Sequence, residues 1–204
     1  MPSWGWRFGT TATPLDTRRA AVRTGEAAFG NLVADAMRAA VGADIAITNG
    51  GGIRADRDYP AGSVLTRRDI QEELPFGNRT VLLELTGADV LAALETGFSG
   101  IEEGAGRFPQ VSGLAVGYDP TRPAGARVVS VTVGGAPLDP AATYRVATND
   151  FLARGGDGYA ALTHGRTLID PTSGGLMATQ VIDHIATAGT VAPTVEGRLT
   201  DMSR

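Results

Sequence analysis

The sequence contains no cysteine, no lysine and only two histidines, His164 and His184. The absence of cysteine excludes disulfides, thiolate metal sites and a cysteine nucleophile. Two histidines are too few for a dinuclear metal centre built on several His ligands. We therefore interpret both histidines as surface or packing residues and predict no cofactor and no metal ligands in this chain.

Long apolar runs are also missing. No run approaches the roughly 18 residues of a membrane helix, so the sequence predicts no membrane span. Residues 1–6 lack a basic region followed by an apolar stretch, so we predict no intact signal peptide. Two explanations stay open, a cytoplasmic protein or a chain from which a leader was removed. The net charge of −4 argues against a nucleic-acid polymer as partner.

The 204 residues, 43% of them hydrophobic, are enough for one sizeable core. Helical periodicity, capping residues and stop signals predict helices over residues 29–41, 66–74, 86–98 and 176–186. Alternating or continuous apolar residues predict strands over residues 43–48, 81–85, 114–118, 127–133, 144–148 and 197–200. Helices interleaved with strands and hairpins predict an α/β domain of the α+β type, with α/β/β/α layers and a mixed sheet.

The sequence contains no repeat and no low-complexity linker, so we predict one domain over residues 23–204. Residues 1–22 mix Trp, Gly, Thr and Pro without periodicity and are interpreted as a lead-in segment, the remnant of a linker.

The first candidate functional segment is Asn49-Gly-Gly-Gly-Ile-Arg54, directly after a predicted strand. Glycines such as Gly51 let a backbone approach a ligand closely, and exposed N–H groups beside Arg54 suit an anion. A purely structural glycine turn is the alternative, because such turns are common in loops.

The second segment, Leu74-Pro-Phe-Gly-Asn78, holds Phe76 between Pro75 and Gly77 on a rigid turn. Its ring could be presented as a stacking surface, and Asn78 follows it. The alternative is a core phenylalanine fixed at the end of a helix.

Two further segments carry candidate polar and aromatic residues. Residues 149–159 present Phe151 and, six residues later, Asp157, whose carboxylate can accept two hydrogen bonds side by side, as a ribose diol requires. A tight Gly-Asp-Gly turn is the alternative. Arg23 precedes the first long helix without an obvious partner in the chain, and a solvated surface arginine is its alternative.

Taken together these segments resemble the C-terminal domain of the 5′-nucleotidase family, which includes periplasmic UDP-sugar hydrolases and animal ecto-5′-nucleotidases. The resemblance runs from Arg23 to the end of the chain. It rests on four motifs in family order, namely residues 30–36 (Gly-Asn-Leu-Val-Ala-Asp-Ala), 49–54, 75–78 and 151–158.

The resemblance implies a nucleotide-binding role for several of these residues. Phe76 and Phe151 correspond to the paired aromatics that clamp a nucleobase, and Asp157 to the carboxylate that holds the ribose hydroxyls. Asn49 and Arg54 correspond to contacts with nucleoside and phosphate. The full predicted set of substrate-binding residues is Arg23, Asn49, Gly51, Arg54, Phe76, Asn78, Phe151 and Asp157. Animal members carry an Arg where this chain has Gly25, so Arg23 would have to supply that contact with the phosphate.

In this family hydrolysis belongs to a separate N-terminal metallophosphoesterase domain with two divalent metals. The resemblance therefore implies a substrate-binding domain that is inactive alone, with a nucleoside monophosphate, a nucleotide sugar or a cyclic nucleotide as substrate of the full-length protein. It also implies an extracytoplasmic location (periplasmic, secreted or surface-attached). Two alternatives remain, a stand-alone non-catalytic nucleotide- or nucleoside-binding module and a structural dimerisation platform with an idle pocket.

Overall fold

Six α-helices and fourteen β-strands alternate along residues 6–203, the part of the chain that the structure, a computed structural model, describes. The helices are α1 (Arg19–Val22), α2 (Ala28–Val41), α3 (Arg67–Glu73), α4 (Gly87–Phe98), α5 (Asp150–Ala153) and α6 (Met177–Ala188). The strands are β1 (Arg7–Thr11), β2 (Leu15–Asp16), β3 (Ile45–Asn49), β4 (Asp58–Tyr59), β5 (Val64–Thr66), β6 (Thr80–Thr86), β7 (Pro109–Ser112), β8 (Leu114–Tyr118), β9 (Val128–Val133), β10 (Ala136–Pro137), β11 (Thr143–Asn149), β12 (Arg166–Ile169), β13 (Thr190–Val191) and β14 (Leu199–Asp201). Short 3-10 helices cover Gly50–Gly52, Gly156–Gly158 and Ala160–His164.

The helix boundaries follow from local signals in the sequence. The apolar residues of α2 are buried from Phe29 to Met37, and the helix ends at Gly42, which adopts a left-handed φ of 60°. Helix α3 begins with a capping box, because Asp69 N donates to Thr66 Oγ1 at 3.2 Å and Thr66 N donates to Asp69 Oδ2 at 2.8 Å. The side chain of Thr86 caps α4 in the same way, accepting from Asp89 N at 3.1 Å.

A five-stranded sheet with the order β12-β6-β11-β3-β7 forms the centre of the fold. Only the β11–β3 pair is parallel, and the other three pairs are antiparallel. The carboxyl ends of β3 and β11 therefore lie at the same edge as the amino ends of β6 and β7. Four loops that are far apart in sequence meet at this edge, which we call the loop edge: those after β3 and β11, and those before β6 and β7.

Both faces of this sheet are covered. The alternation along the strands directs Ala46 and Ala147 to a cluster with α2 and α6. Ile45, Ile47 and Val146 point to the opposite cluster, which contains the apolar faces of α4 and of strands β8 and β9. Strands β8 and β9 belong to a second sheet with the order β10-β9-β8-β14. The predicted α/β domain with mixed sheets and hairpins is thereby confirmed.

Residues 7–22 take part in this fold, although the sequence assigned them to a lead-in segment. Strand β1 pairs with β5 and β13, and β2 pairs with β4. Strand β1 contains a single large apolar residue, Phe8, and β2 has two residues, so neither shows an apolar alternation that the sequence pattern could reveal. Residues 1–5 of the predicted segment lie outside the described residues.

Each helix within residues 6–203 is too short or too polar to cross a lipid bilayer.

Candidate nucleotide site

One cavity of about 480 Å³ lies at the loop edge. Its size falls within the range of about 300–1,000 Å³ that is typical of small-molecule sites. All eight residues that the sequence singled out line it: Arg23, Asn49, Gly51, Arg54, Phe76, Asn78, Phe151 and Asp157. Gly106 and Arg154, which the sequence did not single out, complete the lining.

The glycines after β3 have a role that differs from the sequence interpretation. A Cβ atom on Gly50 would lie 2.0 Å from the carbonyl oxygen of Val22, and one on Gly51 would lie 2.8 Å from Cα of Gly106. The N–H groups of these two glycines donate to Phe108 O at 2.7 Å and to Gly106 O at 2.8 Å. The loop therefore needs glycine for backbone packing, and these two amides are already used inside the protein.

Asp157 is held by a chain of side-chain hydrogen bonds. Asn49 Nδ2 donates to Asp157 Oδ2 at 2.8 Å, and Asn149 Nδ2 donates to Asn49 Oδ1 at 3.0 Å. Asn149 Oδ1 in turn accepts from Leu152 N at 2.8 Å and so caps α5. The ends of the parallel strands β3 and β11 thus fix the direction in which the carboxylate of Asp157 points.

Asp157 has a left-handed backbone conformation, which aspartate tolerates better than most residues. Asp157 has a φ of 55°, between glycines that allow the chain to turn sharply. A Cβ atom on Gly156 would lie 2.6 Å from the ring of Phe151. The Gly-Asp-Gly segment is therefore a tight turn, as the alternative interpretation held, and this turn also lets the ring of Phe151 pack against the backbone at the cavity wall.

Both candidate aromatic rings are accessible. Phe76 is 59% exposed and Phe151 is 38% exposed, although most large apolar side chains of this domain are buried. This exposure excludes the alternative of a core phenylalanine at position 76. The guanidinium carbon of Arg54 lies 5.5 Å from the centroid of the Phe76 ring, a cation–π distance. Rings from two separate loops therefore line the same cavity beside a cation.

The cavity is predominantly cationic. Three arginines (Arg23, Arg54 and Arg154) line it, together with a single carboxylate, Asp157. Burial, followed by the nearby charges of Arg19 and Arg54, lowers the pKa of Arg23. Its Nε is buried, and none of the described residues provides a hydrogen-bond partner for it. Such an arrangement favours an anion, which would offset the repulsion between the arginines.

The sequence contains only weak indications that the other two lining residues, Arg154 and Gly106, belong to the site. Arg154 lies one helical turn after Phe151, and its guanidinium pairs with Asp150 at 3.2 Å. Gly106 belongs to the loop before β7, a strand that was not predicted because it combines Pro109 with the polar residues Gln110 and Ser112. Only the pairing of β7 with β3 brings Gly106 to Gly51.

The histidines lie away from this cavity. Nδ1 of His164 is 2.9 Å from Asp89 Oδ1 on the surface, and His184 is half-buried on α6. Over residues 6–203, no group of three or more His, Cys, Asp or Glu side chains is arranged to hold a metal ion.

Comparison with known proteins identifies the family. The family model for the 5′-nucleotidase C-terminal domain matches residues 7–164. A trifunctional nucleotide phosphoesterase of Bacillus subtilis, YfkN, is 40% identical over 96% of this chain, which covers 14% of that protein. A snake venom 5′-nucleotidase of Naja atra is 34% identical over 94% of this chain, which covers 40% of that protein.

A solved structure gives the same result. The crystal structure of a 5′-nucleotidase precursor from Thermus thermophilus superimposes with a TM-score of 0.89 and 40% identity. The match covers 97% of this chain and 40% of the Thermus chain, so the chain spans less than half of each relative described. The extent of these matches shows that this chain belongs to the 5′-nucleotidase family, in which it corresponds to the C-terminal domain.

Proposed function

We propose that this chain is the substrate-binding domain of a 5′-nucleotidase-type phosphohydrolase and that its loop-edge cavity binds a nucleoside monophosphate or a nucleotide sugar. The observation that carries this proposal is the pair of exposed rings, Phe76 and Phe151, in one cavity with three arginines. Aromatic faces suit a base, and guanidinium groups suit a phosphate.

In the proposed complex the base stacks between Phe76 and Phe151. Each stacking contact contributes about 1–3 kcal/mol, and it accepts different bases because every base has a π face. Asn78 lies on the same turn as Phe76 and lines the cavity, so its amide is available to the edge of the base.

The ribose binds to Asp157. One oxygen of this carboxylate is engaged by Asn49 at 2.8 Å, and the other accepts no hydrogen bond from the described residues. A carboxylate held in this way can accept hydrogen bonds from the ribose hydroxyls. Asn49 and the backbone of Gly51 form the wall beside the sugar.

The phosphate binds near Arg23 and Arg54. Arg23 brings a buried Nε without a partner among the described residues, and Arg54 brings a guanidinium that lies against Phe76. An anionic ligand would neutralise part of the positive charge that these two arginines bring to the cavity.

Hydrolysis is assigned to a metallophosphoesterase domain of the full-length protein, N-terminal to this one, which would hold two divalent metals. We propose an extracytoplasmic location for that protein, by analogy with its relatives. A stand-alone binding module is the alternative. Asp-x-His and Gly-Asn-His are metal-ligand signatures of the family's metallophosphoesterase domain. An upstream reading frame in register that encodes them would distinguish the phosphohydrolase from that module.

Calorimetry with adenosine, AMP and UMP tests the cavity directly. Phe76→Ala and Phe151→Ala should each weaken the binding of all three ligands by about 1–3 kcal/mol, because each removes one stacking surface. Val129→Ala, which truncates an exposed apolar residue on β9, is the matched control and should leave the affinities unchanged. If none of the ligands binds the original chain at millimolar concentration, the proposed function is wrong.

A further inference from the structure

Glu73 is a fully buried carboxylate beside the candidate site. It is the last residue of α3 and is 0% exposed. Its Oε1 accepts hydrogen bonds from Thr17 Oγ1 and from the hydroxyl of Tyr59, both at 2.9 Å. Its Oε2 accepts from Ala55 N at 3.2 Å. Glu73 belongs neither to the sequence motifs nor to the lining of the cavity.

The position of Glu73 connects two of the loops that build the cavity. Its backbone carbonyl accepts from Arg54 N at 2.9 Å, and its carboxylate accepts from the next amide in that loop, Ala55 N, at 3.2 Å. In the other direction, Glu73 immediately precedes Leu74-Pro75-Phe76. The loop that carries Arg54 and the turn that carries Phe76 are therefore joined through this one residue.

Stability alone does not account for a carboxylate at this position. Burial raises the pKa of Glu73, against the lowering effect of its three hydrogen bonds. No cation among the described residues lies within ion-pair distance of it. Arg57 pairs with Asp69 and Glu72, and its charge lowers the pKa of Glu73 less than the hydrogen bonds do. Since burying an unpaired carboxylate is costly, an apolar side chain of similar volume would be favoured if packing were the only requirement.

We propose that Glu73 is a positioning residue for nucleotide recognition, whose carboxylate fixes the Arg54–Ala55 backbone so that the Arg54 guanidinium stays beside Phe76 and faces the phosphate. This inference rests on the proposed function of the cavity. The preference for phosphorylated ligands over free nucleosides then depends in part on Glu73, which does not touch the ligand. Arg54 makes the contact, and Glu73 sets the backbone from which Arg54 extends.

The test compares Glu73→Leu with two matched variants in calorimetric titrations with AMP and adenosine. Glu73→Leu leaves Ala55 N without its acceptor, so we expect about tenfold weaker binding of AMP and unchanged binding of adenosine, which lacks the phosphate. Glu73→Gln should restore the affinity for AMP. Its amide oxygen can accept from Ala55 N while its NH₂ donates to the hydroxyl oxygens of Thr17 and Tyr59.

Tyr59→Phe is the control for a merely structural role. It removes one hydrogen bond to the same carboxylate and leaves the bond to Ala55 intact, so it should lower the melting temperature without changing the ratio of the two affinities. If Glu73→Leu does not fold, Glu73→Met carries the test with the same expected loss for AMP, because methionine is unbranched like glutamate but offers Ala55 N no oxygen acceptor.

The outcomes separate the two proposals. An unchanged AMP-to-adenosine ratio in Glu73→Leu, an equal loss for both ligands, or the same change in Tyr59→Phe would overturn the positioning role. If the original chain binds neither AMP nor adenosine, the proposed function itself fails.

Discussion

At the scale of single residues, both the oxygen and the NH₂ group of the Asn49 side chain form hydrogen bonds. Its amide oxygen accepts from Asn149 at 3.0 Å, and its NH₂ group donates to Asp157 at 2.8 Å. Because the acceptor end is occupied, the donor end is directed to Asp157, and this orients the carboxylate before any ligand arrives. Such preorganisation reduces the free-energy cost of ordering the site on binding.

Asp157→Ala should weaken binding of adenosine about 10- to 100-fold, because hydrogen bonds to a charged group contribute about 1.5–3 kcal/mol. Binding of 2′,3′-dideoxyadenosine, which lacks both hydroxyls, should not change, and calorimetry measures both. Asp157→Asn is the control for the left-handed backbone at this position, since asparagine tolerates a φ of 55° better than alanine. An equal loss for the two ligands would show that Asp157 does not bind the ribose.

At the scale of elements, the loop after β3 is shaped by its neighbours. Gly50 lies against the end of α1, and Gly51 lies against the loop before β7. The sequence attributed the glycines of this loop to the approach of a ligand, with a structural turn as the alternative. The actual reason depends on two segments that the sequence patterns did not reveal, and a contact between segments so distant in sequence has no local signature.

Gly50→Ala should lower the free energy of unfolding by about 1–3 kcal/mol, because its Cβ would collide with the carbonyl oxygen of Val22 at 2.0 Å. The matched control is Gly52→Ala in the same loop, whose Cβ would meet only Asn49 Oδ1 at 3.5 Å. Its effect should stay within about 0.5 kcal/mol. Chemical denaturation of both variants measures the difference, and equal losses would contradict the packing explanation.

Most elements with a strong local pattern were predictable. The predicted helix over residues 29–41 corresponds to α2, and the predicted strand over residues 114–118 coincides with β8. Strands β1, β5, β7 and β12 were not predicted, because they are short or contain buried polar residues. Gln110 in β7 illustrates the cause: its Nε2 donates to Val22 O at 3.0 Å and to Gly25 O at 2.8 Å, partners that only the folded chain supplies.

At the scale of the whole molecule, the cavity exists because of sheet topology. Its lining comes from residues 23, 49–54, 76–78, 106 and 151–157. The pairing of β3 with β11 and β7, and of β11 with β6, brings the last four of these segments to one edge. The domain presents groups that can bind and orient a ligand. The chain covers 40% of the Thermus structure, so the remaining part of such proteins is where we place hydrolysis.

The isolated 204-residue chain should therefore release no phosphate from AMP above background, with or without added divalent metal. Its two histidines belong to different elements and neither lines the cavity, so this chain has no His-rich dinuclear site to activate water. A phosphate-release assay measures this, with the same preparation shown by calorimetry to bind AMP. Turnover that persists at constant specific activity through successive purification steps would contradict the prediction.

The sequence by itself determined which chemistry is open to this protein. Without cysteine and with two histidines, this chain could not build a thiolate or His-rich metal centre, and its motifs singled out eight residues as candidates for a binding site. Residue types and local spacing carry such information, because they depend only on neighbours along the chain.

Only the tertiary structure decided that these eight residues share one cavity, that Arg154 and Gly106 complete it, and that Glu73 lies behind Arg54 and Phe76. The physical reason is that strand pairing and burial act between residues that are distant in sequence. Hydrogen bonds such as those of Asn149 with Asn49, or of Ala55 with Glu73, form only after the sheet has set the positions of the loops.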